Sequence, residues 1–159
     1  MAARCRVLLV EDSSLVTDAL TVLLESAGHV VHVAGTVAEA VARGVATRPQ
    51  LMLLDLTLPD GEGLEVLARL RDVDAEPPIT VALTGHDDHA VRTRCLAAGC
   101  RDVLLKPVPA RELLARVGDW AEERVTSDEY GCSSLVTHDP LVRAVQILLR
   151  RNSGVSACR

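Results

Sequence analysis

Two periodicities alternate five times along this chain, and that alternation constrains its fold more than any other feature. Short continuous apolar runs occur at "CRVLLV" (5–10), "HVVHV" (29–33), "QLMLLDL" (50–56), "ITVAL" (79–83) and "CRDVLL" (100–105). Each is followed by a stretch whose apolar residues recur at helical spacing. The first such stretch, 13–28, places apolar side chains at 15, 16, 19, 20, 23 and 24 and stops at Gly28, a residue suited to a helix C-terminus. The second, 36–48, opens with Thr36 and Glu39 in the pattern of a capping box. Three more helices are expected at 63–73, 89–99 and 110–125. Unbroken apolar strands need cover on both faces, and a strand that returns parallel to its predecessor needs a crossover. The pattern therefore predicts an α/β fold, a (βα)5 doubly wound parallel five-stranded sheet, over residues 5 to about 125.

A length of 159 residues suits one domain and a modest extension. We divide it into a domain at 4–125, a polar, turn-rich linker at 126–138 and a C-terminal amphipathic helix and tail at 139–159. In that tail Asp139 is placed as an N-cap, Pro140 at the first helical position, and apolar residues follow at 141, 142, 145, 148 and 149. Aromatic residues make up 1% of the chain and Phe is absent, so the core must be aliphatic and no base-stacking platform is available. A net charge of −5 gives no electrostatic case for general nucleic-acid binding. The five cysteines form no C-x-x-C pair and are odd in number, which points to reduced thiols in a cytoplasm rather than a zinc ribbon or a disulfide framework. With no signal-peptide core and no apolar run approaching the roughly 18 residues of a span, the expected location is cytoplasmic, with no membrane partner.

In a doubly wound sheet, ligands bind beyond the carboxyl ends of the strands. Those ends carry Glu11 and Asp12, then Asp55, then Thr84, then Lys106, which is the one lysine among 17 basic residues. Clustered acids repel each other unless a cation lies among them, and hard oxygen donors suit Mg²⁺. A compact ammonium on a flexible stem does what a planar guanidinium cannot. A carboxylate can attack phosphorus, and the resulting acyl phosphate needs Mg²⁺, a cation and a hydrogen-bond donor around its oxygens.

The ordered segments "VLLVEDSS", "LMLLDLTLPDGEGLEVL" and "ITVALTGHDDHAVRTRCLAAGCRDVLLKP" resemble the receiver domain of two-component response regulators, over about residues 5–122. The resemblance implies a flavodoxin-like, CheY-like fold and a phosphorelay protein that catalyses only its own phosphorylation and dephosphorylation. It implies Asp55 as phosphoacceptor. It implies Asp12 as a direct Mg²⁺ ligand and Glu11 as one acting through water, with Asp55 and the backbone carbonyl of Thr57 completing the set. Thr84 would donate its hydroxyl to the phosphoryl group, Lys106 would contact the phosphoryl oxygens, and Pro107, after a cis peptide bond, would shape the loop. The implied partners are a sensor histidine kinase or phosphotransfer protein, an unidentified output partner, and a second copy of the chain through the face of the fourth helix, fifth strand and fifth helix. One position departs from the family: Val103 stands where receivers usually carry a Tyr or Phe that swings inward on phosphorylation.

Other readings compete at single positions. Haloacid-dehalogenase-type phosphatases also use a strand-end Asp, but their D-x-D pattern needs an acid where Thr57 stands. Asp12 or Ser13 could N-cap the first helix without losing a metal role. His86, Asp87, Asp88 and His89 could form a metal cluster, although acids before a helix favour capping. The tail helix weakly resembles the opening helix of an AraC-type DNA-binding domain. Only nine residues follow Arg150, too few for a helix-turn-helix, so nucleic acid is not expected as a partner of this chain alone. The tail would belong to a truncated regulator or, the favoured reading, pack on the domain or on a second copy. A receiver-like scaffold that is never phosphorylated is the remaining alternative.

Overall fold

The computed structural model of the chain describes residues 3–74 and 76–129, with side chains as far as residue 124. The expected linker beyond 129 and the expected tail helix lie outside the described residues. The elements run β1 (Arg6–Val10), α1 (Ser14–Ser26), β2 (Val30–Ala34), α2 (Val37–Thr47), β3 (Leu51–Asp55), β4 (Thr57–Leu58), β5 (Gly61–Glu62), α3 (Gly63–Val73), β6 (Ile79–Thr84), α4 (His89–Ala98), β7 (Asp102–Leu105) and α5 (Ala110–Glu129). Five strands form one parallel sheet in the order β2-β1-β3-β6-β7. This is the doubly wound α/β architecture the apolar runs predict.

Alternation along the strands divides the core in two. Leu8, Val10, Met52, Leu54 and Ala82 face one side and pack with Val37 and Ala40 of α2, Val66, Leu67 and Leu70 of α3, and Cys95 of α4. Their neighbours Val7, Leu9, Leu51, Leu53, Val81 and Leu83 face the other side, against Leu24 of α1 and Leu113, Val117 and Trp120 of α5. Successive side chains of a strand point to opposite faces, so a run that is apolar at every position must be covered twice. Every residue of β3 and β6 is accordingly buried, whereas the edge strand β2 is half-buried over most of its length.

Local signals set the helix ends. Gly28, at φ 93°, ends α1, its amide reaching the Glu25 carbonyl at 2.9 Å. The Thr36 hydroxyl accepts the Glu39 amide at 3.1 Å, the first half of the capping box. The second half is altered: the Glu39 carboxylate takes the Gly35 amide at 3.0 Å instead of that of Thr36. Helix α5 continues to Glu129, so residues 126–129 are helix rather than the linker expected there. The antiparallel pair β4 and β5 is also additional, because two-residue strands carry no readable periodicity. Among the described residues no helix is long and apolar enough to cross a membrane.

Candidate functional site

Strand register brings the predicted residues together. Val10 of β1 lies opposite Leu54 of β3, so Glu11 and Asp12 leave the sheet beside Asp55. Asp55 lies opposite Leu83, one residue before Thr84, and Thr84 lies opposite Leu105, one residue before Lys106. Because β1 and β3 are neighbours while their crossovers run to opposite faces, the residues converge where a doubly wound sheet opens a crevice.

The side chains meet as charges. The Lys106 ammonium lies 2.5 Å from Glu11 Oε2 and 3.2 Å from Asp55 Oδ2. Glu11 is 3% exposed and Asp55 9%, whereas Asp12 faces solvent. One carboxylate oxygen each from Glu11, Asp12 and Asp55 fall within 4.8 Å of one another. The remaining oxygens of the two buried acids are held by backbone: Glu11 Oε1 accepts the Ser13 amide at 3.3 Å and Asp55 Oδ1 the Thr57 amide at 3.2 Å. Burial pushes the Glu11 carboxyl above its ordinary range, and the Lys106 hydrogen bond pulls it only part of the way back. Burial also lowers the Lys106 ammonium, but Glu11 and Asp55 outweigh it and the net shift is upward.

Three carboxylates facing one ammonium leave two negative charges in excess at a mouth that is open on the Asp12 side. Hard oxygen donors, a charge deficit matching a divalent ion and room for retained water fit Mg²⁺. The donor set contains no thiolate or imidazole that would favour a softer metal.

The other predicted positions fall as follows. Thr84 is buried at the end of β6, and its hydroxyl closes a turn, donating to the His86 carbonyl at 3.3 Å and accepting the His86 amide at 3.1 Å. The Lys106–Pro107 peptide bond is cis. Val103 is buried in the core beside Cys95, Cys100 and Ala82, so the place of the family's swinging ring is filled by a small packed side chain. In the 86–89 stretch Asp88 caps α4, accepting the Ala90 amide at 2.8 Å, and among the described residues the one group of such side chains close enough together to hold a metal is that of Glu11, Asp12 and Asp55. Ser13 is the N-cap residue of α1, without a side-chain cap bond. The acids of this strand end are thus not consumed by capping.

Two features escaped the sequence reading. Asp60, in the loop after Asp55, reaches across to α2, and Glu62 pairs with Arg94 of α4 at 2.5 Å. Nothing local marks either, since their partners lie 22 to 32 positions away (62 to 94 in the second case). Gly63 also has a specific reason to be glycine. Its amide bonds the Leu56 carbonyl at 2.9 Å, and a methyl group on its Cα would run into the Asp55 carbonyl oxygen. Gly63→Ala is therefore expected to lower stability by about 1–3 kcal/mol in chemical denaturation, as overpacking against backbone does; a variant within about 0.5 kcal/mol of the parent, the range of ordinary surface changes, would contradict the close approach.

The comparisons with known proteins agree with this geometry. A family model described as the response regulator receiver domain matches residues 7–118. The chain is 38% identical over 112 residues to the transcriptional regulatory protein TrcR of Mycobacterium tuberculosis, covering 70% of this chain and 43% of that protein. It is 33% identical over 154 residues to the response regulator MprA of Mycobacterium ulcerans, covering 93% of this chain and 66% of that protein. It thus spans 43% to 66% of the length of these two curated relatives. Among solved structures, a CheY-like response regulator receiver domain protein from Methanospirillum hungatei superposes with a TM-score of 0.71 at 29% identity, over 77% of this chain and 97% of that one. The receiver domain of Ssk1, in its co-crystal structure with the histidine phosphotransfer protein Ypd1 from Saccharomyces cerevisiae, gives 0.73 at 27% identity, over 78% and 93%. With a matching family model over residues 7–118, relatives that are response regulators and a receiver-like sheet order, the chain belongs to the response regulator receiver domain family.

Proposed function

We propose that the chain is a phosphorylation switch in which Asp55 accepts a phosphoryl group from a histidine kinase or a phosphotransfer protein and thereby changes what the domain binds. The observation that carries this reading is the convergence of Glu11, Asp12 and Asp55 within 4.8 Å under the only lysine of the chain. An Asp55 oxygen attacks phosphorus in line, the bond to the donor's leaving nitrogen or oxygen breaks, and its electron pair departs with the leaving group. Asp12, Asp55 and the Thr57 carbonyl, with Glu11 through water, would hold Mg²⁺, which would supply charge neutralisation for the phosphoryl oxygens. Lys106 stands 3.2 Å from the attacked carboxylate and is placed to pass from it to the phosphoryl oxygens, keeping Glu11 as its second partner. Thr84 supplies a hydroxyl donor after exchanging its turn bond to the His86 carbonyl for one to phosphate. Pro107 fixes the loop that aims Lys106.

The receiver unit we assign is 4–125, extended by the helical residues to 129, followed by linker and tail; its location is the cytoplasm. The donor surface is argued by similarity to the Ssk1 receiver, which is solved with a phosphotransfer protein. The output surface is the face of α4, β7 and α5. There Asp102 is held by Arg92 of α4 and Arg116 of α5 beside a cleft of about 250 Å³. An output partner or a second copy would dock on it. With Val103 already packed in the core, this face must respond through loop and helix displacement instead of a rotating ring.

Incubation with a small acyl phosphate and Mg²⁺ is expected to add one phosphoryl group per chain by intact-mass measurement. The adduct should be lost in mild alkali and should not form with a chelator present. A chain that gains no phosphoryl group under these conditions is the unphosphorylated scaffold instead.

A further inference from the structure

We propose that Asp60 is a positioning residue of the phosphoryl site: its carboxylate ties the loop between β3 and α3, which carries the Thr57 carbonyl, to the first turn of α2. This rests on the reading of Asp55 and its metal given above.

The argument starts from the hydrogen-bond needs of α2. A helix begins with amides that have no partner inside it. Thr36 satisfies the amide of Glu39 and leaves those of Val37 and Ala38. Asp60 takes both, with Oδ1 2.7 Å from the Val37 nitrogen and Oδ2 3.1 Å from that of Ala38. A carboxylate in this place also meets the positive end of the helix dipole. The cap of α2 is thus supplied jointly by its own Thr36 and by a residue 22 to 23 positions away.

The loop needs the bond as much as the helix does. Strands β4 and β5 pair Thr57 with Glu62 and Leu58 with Gly61, and a hairpin this short is marginal alone. Leu58, in the pair next to the turn, is buried, but Pro59 and Asp60 of the turn itself are exposed, so packing at Leu58 is the hairpin's one apolar anchor and leaves the turn unheld. The hairpin lies against the start of α2: a methyl group on Gly61 would sit 3.4 Å from Val37 Cγ2. The Asp60 bonds close this contact. They fix the hairpin whose first residue donates its amide to Asp55 and, on the reading above, would offer its carbonyl to the metal. Asp60 is not among the strand-end acids, and its role is to hold Thr57 in place.

The test measures Mg²⁺ binding directly, by magnesium titration followed by amide chemical shifts, on the full chain. Asp60→Ala is expected to weaken Mg²⁺ binding about three- to tenfold, the size of a lost cap, and to speed hydrogen exchange at residues 57–62. Thr36→Ala weakens the same helix end without releasing the loop, and is expected to leave Mg²⁺ binding at the parent value. Asp60→Asn discards the charge but keeps one acceptor for the Val37 amide, and is expected to fall between parent and Asp60→Ala. Unchanged Mg²⁺ binding in Asp60→Ala overturns the proposal. So does equal weakening in Thr36→Ala, which would make the effect one of helix stability, or equality of the Asn and Ala variants, which would make it one of charge. If the parent binds no Mg²⁺, the phosphoryl-site reading itself fails, and exchange at residues 57–62 still decides whether Asp60 tethers the loop.

Discussion

Asp55→Asn is expected to abolish phosphoryl labelling completely while the chain stays folded. The amide matches the carboxylate in shape, keeps an oxygen for the Thr57 amide, and leaves Lys106 its shorter contact, that with Glu11 at 2.5 Å. Removing one of three crowded negative charges also relieves repulsion, so denaturation is expected to place the variant within about 1 kcal/mol of the parent. What the amide lacks is the nucleophilic oxygen. Neighbouring acids cannot replace it: Glu11 is buried and occupied by Lys106 and the Ser13 amide, and Asp12 has no cation bridging to it among the described residues. Intact-mass measurement after incubation with an acyl phosphate decides the matter, and undiminished labelling of the folded variant would sink the assignment of Asp55.

The contrast between these acids shows what a sequence exposes and what it hides. Asp55 was legible because an acid closing a run as apolar as Leu51–Leu54 has no packing reason to be there, and the same holds for Glu11 after Val7–Val10. Strand periodicity is a local property, so all five sheet strands and their order along the chain follow from it, with ends displaced by a residue or two. The parallel register then carries the strand-end residues to one edge without further information. Contacts between side chains distant in sequence have no such local trace. The closer approach of Lys106 to Glu11, 2.5 Å against 3.2 Å to Asp55, joins segments 95 positions apart and leaves no trace in either of them. The extension of α5 to Glu129 escaped for a different reason. Residues 126–129 are polar and resemble linker, yet the helix they continue is anchored one turn earlier by Arg124, buried and bonded to the Pro77 carbonyl at 2.5 Å.

The lone lysine provides the second large effect. Lys106→Met removes the only cation that contacts Glu11 among the described residues, a carboxylate 3% exposed, and a buried charge that loses its partner costs about 3–5 kcal/mol. The sign of the pH dependence follows from the carboxyl. Burial already raises Glu11 in the folded chain above its unfolded value, and without the ammonium the rise is larger. A group shifted upward contributes its stability below the unfolded value and loses it as pH rises through the folded one. The variant should therefore stand closest to the parent near pH 4.5, the ordinary glutamate value, and fall progressively behind it towards neutrality. In the parent, the raised Lys106 ammonium keeps its own contribution throughout that range and gives it up only above its ordinary 10.5. Adding Glu11→Gln to Lys106→Met removes the charge that needs compensation, so the gap should lose its slope with pH. Mg²⁺ should stabilise the single variant more than the parent, because the ion then supplies the only positive charge among three acids. Denaturation curves at several pH values, with and without Mg²⁺, test all of this together. A gap that does not vary with pH would mean that Lys106 acts through its packing and not as the counterion of Glu11.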